Sequence, residues 1–236
     1  MDIDPEMVEE LSSNLNARQT RAVPDYLMRD KLYPGEDTYF KSNPHVGGMA
    51  AEDNKIIMNP YSPLKPNEKE AVKVNELTRL YLRNSKTPLN FNLTDNQKKS
   101  FGDYSKDEND IKATLVGRIV SGDPSAGSVT PEQAELANQI RGTLFNSKYG
   151  LRNNGTPKGT GWLGELKRPD GKVSTELSIG VSFDGKETEI PLLVPTLSKD
   201  EVTFLLGGGK ATPEMIGKAV EHAKSRMKQG LSPYKD

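Results

Sequence analysis

Apolar and polar residues alternate most clearly near the C-terminal end, in ELSIGVSFDGKETEIPLL, where two alternating runs flank Asp184-Gly185. That dipeptide suits a type I′ turn, which needs positive φ at both central positions. The pattern therefore predicts a β-hairpin over 174–193, with strands at about 174–183 and 186–193. Ser198 is placed to cap a short helix over 199–206, ended by Gly207-Gly208-Gly209. Thr212-Pro213-Glu214 opens a last helix whose Ile216, Ala219, Val220, Ala223 and Met227 share one face and are suited to cover the hairpin. Ahead of the hairpin, LRNNGTPKGTGWLG reads as an irregular loop anchored at Trp162. Residues 150–236 are thus expected to form a compact α+β domain, of a size that can fold alone.

Between 67 and 149 the period is helical. NEKEAVKVNELTRLYLR places Val74, Leu77 and Tyr81 on one face, with Asn67 as the expected cap and Glu70 at the third helical position. A shorter helix is predicted from Thr94 or Asp95. Another starts near Glu108, with Ile111, Leu115 and Ile119 as its stripe and SGDPSAG as its stop. A fourth opens at Thr130-Pro131-Glu132 and carries Leu136, Ile140 and Leu144. These make a small helical domain.

Residues 23–66 look different. Pro24, Pro34, Pro44, Pro60, Pro63 and Pro66 fix their own torsions and push each preceding residue toward extended conformations, so long regular elements are not expected. Yet Tyr26, Leu27, Leu32, Tyr39, Phe40, Ile56 and Ile57 are too many apolar residues for a solvated linker. The expectation is an extended arm that uses another surface as its core, with a short strand at 55–59. Ahead of it, residues 1–22 predict an N-terminal helix from Asp4-Pro5-Glu6, with Met7, Val8, Leu11 and Leu15 as a narrow docking stripe.

Composition supports this division. The 236 residues are 33% hydrophobic and 28% charged, with mean hydropathy −0.68, which is lean for one large core. The 32 basic and 33 acidic residues nearly cancel, and no basic run is long enough to track phosphates, so nucleic acid is not an expected partner. Absence of cysteine excludes disulfides, iron–sulfur clusters and thiolate zinc sites, and no cofactor is expected. No window approaches roughly 18 consecutive apolar residues, and the acidic N-terminus is unlike a secretory signal. No membrane partner is expected, and synthesis in the cytoplasm is.

Candidate chemistry is thin. His45 with Glu52 or Asp53 would need a cleft to act as an acid–base pair, and an extended arm supplies none. Gly207-Gly208-Gly209-Lys210 follows a helix rather than a strand, with Ala211 separating Lys210 from Thr212, which is the wrong arrangement for a phosphate loop. His222 sits at the edge of an apolar helix face, and Trp162 reads as the plug of a small core rather than a sugar platform. Nothing distinguishes a catalytic pair among 33 acids. The chain reads as a non-enzyme, and the segment NPHVGGMAAEDNKIIMNPYSPL as partner-binding through His45, Val46, Met49, Ile56, Ile57, Met58 and Tyr61.

That segment with NELTRLYLR, then TLVGRIVSGDPSAGSVTPEQ, and finally YGLRNNGTPKGTGWLGELKRPDGKVSTELSIGVSFDGKETEIPLLVPTLSKDEV with KAVEHAKSRMKQGLSPY, resembles segments of poorly characterised proteins of tailed bacteriophages. The C-terminal piece is similar to a small module that is also attached to much larger phage proteins. The resemblance implies a virion component made in the bacterial cytoplasm. Its expected partners are portal, tail or capsid subunits in an oligomeric assembly, with the tail or head–tail junction as its place. A peptidoglycan-directed enzyme or wall-binding module is the alternative. The resemblance carries no catalytic residues onto this chain.

Overall fold

Proline, acid and glycine at the right offsets define most element ends. The computed structural model describes residues 23–101, 105–183 and 185–235. The predicted helix within 1–22 lies outside them. The described residues form α1 (Pro34–Ser42), β1 (Gly48–Ala50), β2 (Ile56–Met58), α2 (Pro66–Ser85), α3 (Asp95–Phe101), α4 (Glu108–Ser121) and α5 (Pro131–Phe145). These are followed by β3 (Leu166–Lys167), β4 (Val173–Ser174), β5 (Ser178–Phe183), β6 (Lys186–Pro191), α6 (Lys199–Leu206) and α7 (Pro213–Lys228). The strands pair as three separate antiparallel ribbons, β1-β2, β3-β4 and β5-β6, so the fold is α+β.

The chain divides into two units, one of residues up to Asn146 with Asn153–Thr156, the other of Ser147–Arg152 with the residues from Pro157 onward. In the first, α2 and α4 pack closely through Leu77, Leu80, Leu115, Val116 and Val120, all nearly inaccessible to solvent. Gly117 permits this, since a Cβ there would run into the Asn75 side chain and backbone of α2. Burial of a side chain of this size stabilises by roughly 1.5–3 kcal/mol, so this helix pair is the unit's main core.

Helix α2 starts two residues earlier than its sequence suggests. Pro66 takes the first helical position, where its missing N–H costs nothing, and Lys65 rather than Asn67 is the cap. Glu68, not Glu70, reaches back to accept the Lys65 N–H at 2.6 Å. The starts of α3 and α5 are alike: Thr94 and Thr130 accept the N–H groups of Gln97 and Gln133, whose side-chain oxygens accept the Thr94 and Thr130 N–H groups in return.

Residues 23–66 are irregular over much of their length but do not stand away as an arm. Pro34 again serves as a first helical residue, and Glu36 accepts the Tyr33 N–H at 2.8 Å, which starts a nine-residue helix where a broken extended segment was expected. Phe40, Ile57 and Ala51 form a small core with Leu32, Val46 and Met49 packed on it. Leu27, Phe40, Ile56 and Ile57, which seemed to need another chain, are buried within the same unit, whereas Tyr26 and Tyr39 stay exposed.

In the second unit β5 and β6 pair as the expected hairpin, with Gly185 at φ 79° and Phe183 opposite Lys186. Its strands are shorter than the alternation suggested, because Thr175 and Glu176 leave the ladder and are buried. Ile190, Leu192, Leu193 and Val194 pack with Leu205, Met215, Ala219 and Ala223 of α6 and α7. The caps Ser198 and Thr212 accept the N–H groups of Glu201 and Met215. The triple glycine closes α6 through the Gly207 N–H to Thr203 O, with Gly208 at φ 87°.

Candidate functional site

The segment read as partner-binding is held from within. Asn59, 1% exposed, donates through Nδ2 to the carbonyls of Val46 at 2.7 Å and Asn43 at 3.2 Å, and its Oδ1 accepts the Tyr61 N–H at 2.8 Å. One buried amide thus fixes both ends of the loop that enters and leaves β1-β2. The glycine pair makes the close backbone approach its sequence suggested, and the neighbour belongs to this chain. A Cβ on Gly47 would lie 2.7 Å from Leu64 and Val72 side-chain carbons, and one on Gly48 would lie 2.8 Å from the Ile57 carbonyl.

The proposed contact residues separate into two groups. Ile56 and Ile57 are 0% and 1% exposed, so in this structure they bind their own unit and offer no surface. Val46, Met49 and Met58 are half-buried. His45 and Tyr61 are exposed. His45 makes no hydrogen bond or ion pair among the described residues, and Asp53 accepts the Lys55 N–H in a turn while pairing with Arg29 Nε at 2.8 Å. No acid–base pair is assembled between them.

Of the tyrosine surface at and beside this segment, sequence reasoning named Tyr61 alone as a contact. Tyr26, Tyr33, Tyr39 and Tyr61 are between 43% and 53% exposed, so each leaves part of its ring in water. Two of them are held in place by charge. The Arg29 guanidinium lies 4.2 Å from the Tyr33 ring centre and grips Glu36 with two hydrogen bonds of 2.6 and 3.0 Å. The Tyr61 hydroxyl donates to Asp37 Oδ1 at 2.6 Å, and Lys41 pairs with the other oxygen at 2.8 Å while lying over the Tyr61 ring. Lys41 and then Tyr61 hold the Asp37 carboxyl below the usual range. The periodic signal was present in Tyr33, Asp37 and Lys41 at four-residue spacing, but the prolines concealed the helix.

A cavity of about 270 Å³ lies elsewhere in the first unit, lined by Ala50, Arg79, Leu82, Arg83, Leu89 and Asp110 among others. Its charged groups are engaged: Arg79 pairs with Asp110 at 2.9 Å, and Arg83 donates to the Ala51 and Ala50 carbonyls. Beside Arg79 the buried Glu76 carboxyl is pushed up to about 7 by burial, against the pull of Arg79 and the Ala50 N–H.

In the second unit, Arg152 and Glu176 form a buried pair at 2.8 Å, the Gly159 N–H donates to Glu176, and Arg152 lies 4.1 Å from the Tyr234 ring centre. Trp162 donates to the Pro233 carbonyl, carries Arg226 over its ring at 4.9 Å, and meets the His222 ring edge-on at 4.7 Å. Burial, and then Arg226, lowers the His222 pKa. Trp162 is the plug of a core, as its sequence suggested.

Among the described residues no cluster of histidines and acids is suited to a metal ion, and no helix is long and apolar enough to cross a membrane. Comparison with protein-family models, curated proteins and solved structures finds no match to this chain.

Proposed function

We propose that this chain is a non-enzymatic structural protein of a tailed-bacteriophage particle, at the tail or head–tail junction, and that it engages neighbouring virion subunits through the tyrosine-bearing surface around α1. The single observation that supports an interaction role is the set of four exposed tyrosines, of which Tyr33 is held by Arg29 and Tyr61 by Lys41. Tyrosine and arginine are the side chains that most often anchor protein interfaces, and holding them still beforehand lowers the ordering cost of association. The phage assignment draws on the sequence resemblance.

The test is quantitative mass spectrometry of purified phage particles, with cross-linking through Lys31, Lys41 and Lys55. A fixed low copy number with cross-links to portal or tail subunits is expected. Absence from the particles, or cross-links confined to the second unit, overturns the reading.

A further inference from the structure

The β5-β6 ribbon has two outer edges, and the chain treats them differently. In the two-residue hairpin, Phe183 and Lys186 face each other across the turn, so the residues that bond across the ribbon are the odd-numbered ones of β5, and the pairing of the Leu192 N–H with the Leu177 carbonyl keeps the same parity. The N–H and C=O groups of Gly180 and Ser182 therefore point away from β6. Both residues are exposed, among the described residues no further strand pairs with β5, and α7 packs against β6 instead.

The outward positions of β6 are Glu187, Glu189 and Pro191, two acids and a residue with no N–H, a combination that discourages strand addition. β5 reads SIGVSF, with no proline and no charge. One edge is closed by its residues and the other is open.

The open edge also carries a charge. Gly180 has no side chain, and the Glu187 carboxylate occupies that space: a Cβ on Gly180 would lie 2.7 Å from Glu187 Oε1. Glu187 thus reaches diagonally from β6 across β5 on the exposed face. A strand added beside β5 places its side chains about 4.5–5.5 Å from those it pairs with, so a lysine or arginine opposite Gly180 meets that carboxylate.

We infer that β5 is a docking edge for an extended, basic segment of a partner protein, which adds as a third strand beside Gly180 and Ser182 and sets its lysine or arginine side chains against Glu187. Backbone bonds supply the register-independent part of the affinity, and the carboxylate selects for basic residues at alternate positions. This edge does not depend on the tyrosine surface of the first unit.

The test uses the full chain, isotopically labelled, titrated with the capped peptide TKTKTKT and with its acidic counterpart TETETET while backbone amide shifts are followed. The basic peptide is expected to perturb the Gly180 and Ser182 amides saturably and to weaken with salt, whereas the acidic peptide leaves them unmoved. Ser182→Pro removes an outward N–H without touching the bonds to β6 and should abolish the response, and Ser182→Lys, which keeps the backbone, should weaken it through like-charge repulsion. Glu187→Gln should weaken binding about two- to five-fold, the worth of one exposed ion pair. Equal response to both peptides, shifts that map to β6 or elsewhere, or an edge already occupied by a second copy in the peptide-free protein would each overturn the inference.

Discussion

The side-chain amides of Gln97 and Gln133 bind each other reciprocally, Nε2 to Oε1, at 2.9 and 3.1 Å. Each oxygen also accepts the N–H of its own helix cap, and each nitrogen also donates to a carbonyl two residues before the other cap, Ser128 for Gln97 and Asn92 for Gln133. The matching stretches NLTDNQ and SVTPEQ are therefore related by a local two-fold, with Leu93 and Val129 buried at equivalent places. Every donor and acceptor of both amides is used, in a site closed to solvent.

Removing one partner should cost more than a helix cap alone. Gln133→Ala leaves the Gln97 amide, the Thr130 N–H and the Asn92 carbonyl short of partners, and a loss of roughly 2–4 kcal/mol is expected from urea unfolding. In a double-mutant cycle with Gln97→Ala, the second substitution should cost clearly less than the first. Additive losses would show that the two helix starts are stabilised independently.

Two helical glycines should respond with opposite sign to the same substitution. Gly142 in α5 has open space where a Cβ would go, so Gly142→Ala should stabilise by about 0.5–1 kcal/mol through helix propensity. Gly117 in α4 faces Asn75, so Gly117→Ala must displace the Asn75 side chain and crowd its backbone carbonyl, and should destabilise by roughly 1–3 kcal/mol. Thermal unfolding of the two variants separates these outcomes.

The pH dependence of stability should carry a contribution from Glu76. Its carboxyl titrates at about 7 in the folded chain against an ordinary value of 4.5, so between those limits the unfolded chain has already lost a proton that the folded chain keeps. The contribution favours folding fully below pH 4.5 and is lost as pH rises toward 7, at a cost on the order of 3 kcal/mol. Glu76→Gln should match the parent protein near pH 4 and exceed it in stability near pH 7.5. Parallel curves across that range would mean that Glu76 is ionised throughout.

Core and surface in residues 43–64 should separate cleanly. Ile57→Ala, at a site 1% exposed, should cost about 2–5 kcal/mol. Tyr61→Ala, at a site 43% exposed, should cost about 1 kcal/mol or less while removing cross-links to neighbouring subunits. Equal destabilisation by both would place Tyr61 in the core.

The parts of this fold that were legible in the sequence are those whose causes are local. Asp184-Gly185, Ser198, Thr212-Pro213 and the glycines after Leu206 act within a few residues, and they mark the hairpin and both C-terminal helices correctly. Helix α1 was hidden because Pro34 was read as a breaker, although the same residue type at the first helical position is a start. The core formed by Phe40 and Ile57 and the pairing of Gln97 with Gln133 join residues far apart in sequence, and no local pattern reports such contacts. The exposed tyrosines were visible as residues, but only their exposure distinguishes them from core.

The hairpin turn also sets an order of events during folding. Strands β5 and β6 are joined by a two-residue connection, and pairing of such neighbours takes on the order of 1–10 μs. The Tyr234 hydroxyl, by contrast, donates to Ser178 from 56 residues away, and its ring is stacked under Arg152 from still farther. Closing so long a loop costs more chain entropy than pairing two neighbouring strands, so the hairpin is expected to form before the Tyr234 contact.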